Sequence, residues 1–438
     1  MDAQGATSQA QAAGKLYLAG EYAVVESGHP AILVAVDRML TAQVSEPAAA
    51  ASAAGKALEE QTGSIQSAGH SEASTLWHRE NGLLTADKPS TQPSYVMAAA
   101  TTVEELALER GVALRAFDLN ISSQLDAGSG KKYGLGSSAA VAVATVRALL
   151  SFYGLELDPL QTYKLAYLAT GRAQSLGSGG DLAASLFGGC IRFTSPDRAW
   201  VRQQLGQAPL SQLIEQAWPD LSIARIDAFG LGSPLQLLVG WTGSPASTPS
   251  LVASVKQGSG DGKREAYERF LAASDSCVDA IAVALSSGDM HVIGDLVAQA
   301  RSLLRSLSAL TDTDIETPAL RTLVETALLR GAAAKSSGAG GGDCGIAIVG
   351  QPETDVLAAS ATAGERTDNV MNGSTVDAQS ASGASRQDAP MVPGDSRTQA
   401  HAIATAWARA GIEPLDLHVS QSLAPLDRWN PASQATKE

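Results

Sequence analysis

Two glycines two residues apart punctuate the run Lys131-Lys132-Tyr133-Gly134-Leu135-Gly136-Ser137-Ser138-Ala139-Ala140, which continues into the apolar series 141–153. Glycine adopts positive φ with no Cβ penalty, so such a backbone turns sharply and approaches a ligand closely before opening a helix with free N–H groups. The N-terminus of that helix carries roughly half a positive charge, which makes the stretch an anion cradle. Ser137 and Ser138 add hydroxyls for a phosphate or for Mg²⁺, and Lys131 and Lys132 stand directly upstream.

Two common motifs compete with this reading. The phosphate loop Gly-x-x-x-x-Gly-Lys-Ser/Thr fails, because Lys131 is followed by Lys132 and Leu125 stands five residues before Gly130. Gly134 to Ala139 does fit the looser dinucleotide form Gly-x-Gly-x-x-Ala, but there a strand runs straight into the first glycine. Here the predicted strand 117–124 is followed by the polar loop 126–132. Taken alone, the stretch is also compatible with a Gly/Ser turn capping an ordinary core helix.

It does not stand alone. Gly14-Lys15-Leu16-Tyr17-Leu18-Ala19-Gly20-Glu21-Tyr22 near the start and Lys335-Ser336-Ser337-Gly338-Ala339-Gly340-Gly341-Gly342-Asp343 near the end have the same character, with Gly177-Ser178-Gly179-Gly180-Asp181 and Gly240-Trp241-Thr242 between. These five blocks, in this order over residues 14–420, resemble the GHMP kinases, most of all the bacterial phosphomevalonate kinase branch. The resemblance implies an α+β fold: an N-terminal domain like ribosomal protein S5 domain 2 (13–234), a C-terminal ferredoxin-like α/β-sandwich domain (235–438), and an active site between them. It implies ATP and Mg²⁺, with 5-phosphomevalonate as acceptor in the mevalonate route to isoprenoids. Mevalonate kinase, another small-molecule kinase, and a catalytically dead metabolite sensor are the alternatives.

The same resemblance assigns residues. Lys131, Gly134, Leu135, Gly136, Ser137, Ser138 and Ala139 would wrap the ATP phosphates, with Ser137 or Ser138 on Mg²⁺. Lys15, Lys132 and Asp181 would serve the transferred phosphoryl group. Tyr17, Glu21, Ser178, Gly180, Ser247, Thr248, Ser336, Ser337, Gly338, Ala339 and Gly340 would form the acceptor side. Mevalonate kinases carry a glutamate Mg²⁺ ligand some ten residues before the site aspartate. Here that neighbourhood is Ala169-Thr170-Gly171-Arg172, with no carboxylate.

Phosphoryl transfer needs charge neutralisation and in-line positioning more than covalent chemistry. A phosphate acceptor is already an anion at neutral pH, since its second pKa is about 6, so it hardly needs a general base. Bringing two polyanions together is the harder task, because unit charges 4 Å apart repel by about 4 kcal/mol at an effective dielectric of 20. Lysines answer that task.

The formal net charge of −14 argues against nucleic acid or an anionic membrane as partner, while leaving local phosphate sites free to form. Cys190, Cys277 and Cys344 show no metal spacing and read as buried fillers in a reducing compartment, and the six histidines form no zinc motif. Residues 1–12 lack a signal-peptide pattern, and Arg147 interrupts the longest apolar run, so a cytoplasmic protein is expected, with monomer and homodimer both left open.

Along the chain, residues 1–12 read as a disordered leader, and 15–25 and 31–44 as paired strands about the turn Ser27-Gly28-His29-Pro30. Residues 46–88, rich in Ala, Ser, Gly and Gln with Trp77 and Leu83-Leu84 as anchors, read as a mobile low-complexity insertion. Helices are expected over 95–110 and 159–173, then over 247–256, 263–286, 289–310, 318–330 and 401–410; strands at 188–193, 234–241, 345–349 and 415–419. Residues 354–398 have scarcely an apolar anchor and are expected to be disordered.

Overall fold

The structure, a computed structural model, describes residues 7–47, 61–67, 74–87, 94–127, 131–230, 232–244, 248–258, 262–350 and 396–431. Its first sheet holds β1 (Thr7–Ala19), β2 (Pro30–Ser45), β3 (Thr62–Ser67), β4 (Thr75–Glu80), β5 (Leu83–Ala86), β6 (Asp118–Ser123), β7 (Cys190–Thr194) and β8 (Ser222–Ile226). The long β2 organises it, pairing antiparallel with β1 along its length, with β7 through Pro30–Val34 and with β6 through Leu40–Ser45. Four helices pack here: α1 (Tyr95–Glu109), α2 (Ser137–Tyr153), α3 (Pro159–Ala173) and α4 (Gly180–Phe187). Of these, α2 lies directly on β1 and β2. Its alanines at 139, 140, 142, 144 and 148 are all buried and let the backbones approach closely, which sets the end of the glycine loop against the first strand.

Ser94, the N-cap of α1, accepts from Met97 N, and Asp158 makes a capping box with Gln161, holding the start of α3. The chain then forms α5 (Arg198–Gln204) and α6 (Leu210–Glu215) before β8. The second sheet begins at Leu235, with β9 (Leu235–Trp241), β10 (Ala333–Ser336), β11 (Cys344–Gly350) and β12 (Glu413–Leu415) in the order β10-β11-β9-β12, all antiparallel. Against it lie α7 (Thr248–Gly258), α8 (Arg264–Ser287), α9 (Met290–Thr311), α10 (Pro318–Leu328) and α11 (Ser396–Arg409). By length and composition α8 is apolar enough to cross a membrane, an exception to the expectation above. Its buried residues Phe270, Ser274, Cys277, Val278, Ile281 and Leu285 fall on one stripe, and it packs on α9.

Several expectations need correction. Residues 7–12 of the expected leader are part of β1, and the chain leaves that strand at Ala19 and not at 25. Within the expected insertion 46–88, three strands extend the first sheet, with β3 parallel to β6 and Trp77 fully buried 4.7 Å from the Phe117 ring. The short alternation Ile65, Trp77, Arg79, Leu84 supplies the inward face. Of the segment expected to be disordered, 354–395 lies outside the described residues, and 396–398 open α11. Past β12 the chain returns to the first sheet: Ser420 N donates to Ala35 O (2.9 Å), Leu423 N to Phe187 O (2.7 Å) and Trp429 N to Arg225 O (2.8 Å). The last described residues are thereby fastened to the N-terminal half.

Candidate active site

A cleft of about 590 Å³ opens between the two halves. Lys15, Tyr17 and Glu21 reach it from the first strand and its turn; Gly134, Ser138 and Ala139 from the glycine loop; Ser178 and Asp181 from the start of α4; Ser337, Gly338 and Ala339 from the loop after β10. Stretches separated by hundreds of residues therefore share one wall.

Lys15 is the centre of the arrangement. It is 7% exposed, its backbone N–H donates to Leu135 O (2.9 Å), and its Nζ lies 3.5 Å from Asp181 Oδ2. Gly136 makes this possible. Its φ is +81°, and a Cβ there would stand 2.7 Å from Lys15 Cε, so any other residue would both strain the backbone and displace the lysine. Gly134, at φ +80°, makes room in the same way for the Asp343 carboxylate, with a Cβ 2.7 Å from its Cγ. Asp181 sits in the first turn of α4, where the helix dipole favours a carboxylate. Burial, and next the Asp181 charge, push the Tyr17 phenol well above its ordinary pKa, so it stays a hydrogen-bond donor at neutral pH.

The third glycine stretch is more structural. Lys335 is fully buried, pairs with the Glu21 carboxylate, and donates to Ser336 O (2.6 Å). Ser337 Oγ accepts from Tyr17 N (3.0 Å) and donates to Tyr17 O (2.8 Å), and the Tyr22 hydroxyl donates to Ala339 O (2.5 Å). Together these bonds staple the first motif to the third.

Not every expected site residue reaches the cleft. Ser336 is a buried residue of β10 paired with Gly345, and Gly340 is packed beneath Ile315 O; neither lines the cavity. Glu21 does line it, but its carboxylate is committed to Lys335. Gly180 packs against Tyr17 without lining the cavity, while Leu135, Gly136 and Ser137 shape the loop from behind Ser138. Lys131 and Lys132 are exposed on the loop outside the lining, with Lys131 Nζ directed at Gly243 O at 3.5 Å. Ser247 and the side chain of Thr248 lie outside the described residues.

The cleft also contains residues that the sequence reading did not single out: Arg198, Arg202, Lys256, Tyr95 and Asp343. Asp343 directly follows the glycine run and so had a signal. The two arginines had one too, a four-residue spacing behind the cap Asp197, visible only once 198–204 is known to be helical.

Comparison with known proteins identifies the family. The family profiles for the GHMP kinases N terminal domain and the GHMP kinases C terminal match residues 94–189 and 281–364. Phosphomevalonate kinase of Streptomyces sp. (strain CL190) is 41% identical over 344 residues, covering 77% of this chain and 88% of the relative. Mevalonate kinase of Thermococcus sibiricus is 30% identical over 285 residues, 62% of this chain and 70% of the relative. Among solved structures, Streptococcus pneumoniae phosphomevalonate kinase in complex with phosphomevalonate and AMPPNP superposes with a TM-score of 0.69 at 28% identity, covering 94% of this chain and 99% of the other. With both halves matched and a relative this similar covered almost throughout, the chain belongs to the GHMP kinase family.

Proposed function

We propose that this protein transfers the γ-phosphoryl group of ATP to the phosphate of (R)-5-phosphomevalonate, giving (R)-5-diphosphomevalonate and ADP in the mevalonate route to isoprenoids. The observation that carries it is Lys15, laid against Gly136 of the glycine loop and 3.5 Å from Asp181 inside a cleft bounded by both halves. The names of the Streptomyces and pneumococcal relatives support this acceptor over a hydroxyl one.

In this reading the loop 134–138 and the N-terminus of α2 hold the ATP phosphates. Lys15 neutralises charge on the group in flight, which is worth most in a site withdrawn from water. The acceptor oxygen arrives ionised, so Asp181 fixes the lysine's position and need not remove a proton. Tyr17 donates a hydrogen bond beside it.

The donor set fits Mg²⁺. Asp181 and Ser138 offer hard oxygens in the same cleft, and this ion takes one or two carboxylates together with phosphate oxygens and water. A bound Mg²⁺ would supply charge neutralisation on the ATP phosphates. All three thiols, Cys190, Cys277 and Cys344, are free and buried, which supports a reducing, cytoplasmic compartment.

Coupled ADP release with purified protein, offering 5-phosphomevalonate and mevalonate separately, tests the proposal. Turnover on the phosphorylated acceptor alone is expected. Turnover on mevalonate alone would make this a mevalonate kinase with Asp181 as base, and silence on both would leave a metabolite-binding sensor.

A further inference from the structure

The cleft's cations fall into two sets. Lys15, on the first strand and packed against the glycine loop, is already paired with Asp181. Arg198, Arg202 and Lys256 line the same cavity from α5 and α7, that is, from both halves of the molecule. Nothing in the donor-side chemistry uses them.

Their placement is specific. Asp197 caps α5 by accepting from Ala199 N (2.8 Å) and Trp200 N (3.0 Å), and Val201 is fully buried, so the helix cannot roll. Residues 198 and 202 then share one face, one turn apart. The Arg198 side chain is only 12% exposed, yet among the described residues its nearest carboxylate, Glu26, stands 4.0 Å from Nη2. A guanidinium withdrawn from water with so loose a partner is poised for an anion. Lys256 Nζ approaches the same Glu26 carboxylate at 3.3 Å. One cation from each half thus already shares a single oxyanion.

We propose that Arg198, Arg202 and Lys256 form the seat for the acceptor's own phosphate monoester, gripping it from both halves while Glu26 acts as an exchangeable stand-in. The inference rests on the phosphorylated acceptor proposed above. A phosphate dianion outbids a carboxylate for two cations because it carries about −1.5 to −2 charges at neutral pH, and arginine forks suit its geometry. A hydroxyl acceptor lacking that phosphate would gain nothing here, so the same three residues set specificity. Glu26, a third exposed, can leave for water.

Steady-state kinetics of Arg198→Gln, Arg202→Gln and Lys256→Gln, varying 5-phosphomevalonate and ATP in turn, tests this, together with calorimetric titration of 5-phosphomevalonate into protein without ATP. The acceptor KM is expected to rise about tenfold to a hundredfold for each variant, as for the loss of a charged hydrogen bond. The ATP KM should stay within about twofold, and the calorimetric affinity should fall in parallel. Glu26→Gln, which removes the competing carboxylate, should lower the acceptor KM and keeps the inference testable where an arginine variant fails to fold. Unchanged acceptor KM, or equal rises for both substrates with a fall in melting temperature, would overturn it. A wild-type protein silent on 5-phosphomevalonate would instead overturn the function itself, before any variant is made.

Discussion

The glycine loop at 134–136 and the glycine run at 338–342 look alike in sequence and do different work. At Gly134 and Gly136 the space of the missing Cβ is taken by side chains of the cleft, Asp343 and Lys15. At Gly340 and Gly342 it is taken by backbone, Ile315 O at 2.1 Å and Ser244 O at 2.9 Å. The first loop makes space for cleft side chains, and Gly340 and Gly342 of the second run let two parts of the chain touch. Glycine content therefore marks close approach, and only the neighbour tells whether that approach serves a ligand or a core.

The sharpest way to break this contrast is through the buried pair that anchors the second run. Lys335→Met leaves Glu21 charged and unpaired in the interior, and should cost about 3–5 kcal/mol of stability, read as a lower midpoint in urea. Replacing both partners together, Lys335→Met with Glu21→Leu, should recover most of that loss; if the single change is silent, the staple is not structural. Gly340→Ala comes next, with φ at +71° and a Cβ driven into Ile315 O. It should lose about 3 kcal/mol through strain and clash, while whatever protein folds keeps its kcat.

Gly136→Ala is the counterpart. Displacing Lys15 by about 1 Å should lower kcat about a hundredfold, with a stability loss near 1 kcal/mol from the positive φ. If Gly136→Ala melts the protein and Gly340→Ala disables catalysis, the two runs have been assigned the wrong way round.

The smallest effect concerns a contact between the halves far from either run. His29 Nδ1 lies 2.9 Å from Asp275 Oδ2 on α8, and the hydrogen bond to that carboxylate raises the histidine's pKa above its ordinary value. A raised folded-state pKa gives stability that is full below the unfolded value of about 6.5 and lost as pH rises through the higher folded one. The pair is partly exposed, so the expected gain is about 0.5 kcal/mol. His29→Ala should flatten the pH dependence of the melting temperature between pH 6 and 8, and an unaltered slope would remove the contact from the account.

Much of this was legible in the sequence. Lys15 and Asp181 are 166 positions apart, yet the order of motifs gave both, and the long helices after residue 247 followed from apolar spacing. Other parts could not be read. Strands β3 to β5 are built from stretches such as Thr-Gly-Ser-Ile-Gln-Ser, whose single apolar residue carries no periodic signal, and their register comes from pairing with β6. The resemblance implies Ser336 and Gly340 on the acceptor side, but a motif does not say which surface each of its residues meets, and these two pack on Gly345 and Ile315 O. Arg198 and Arg202 went unnoticed because surface arginines look the same until a capped helix turns them into a cleft.

In the proposed reaction a phosphate, not a hydroxyl, receives the phosphoryl group. ³¹P NMR of the reaction mixture with ATP, Mg²⁺ and both acceptors present tests it most directly. A new pair of mutually coupled resonances from a diphosphate ester is expected, growing as 5-phosphomevalonate is consumed and ADP appears. Growth of the 5-phosphomevalonate resonance as ADP appears, with no coupled pair, would contradict it, because mevalonate phosphorylated on its hydroxyl is that same compound.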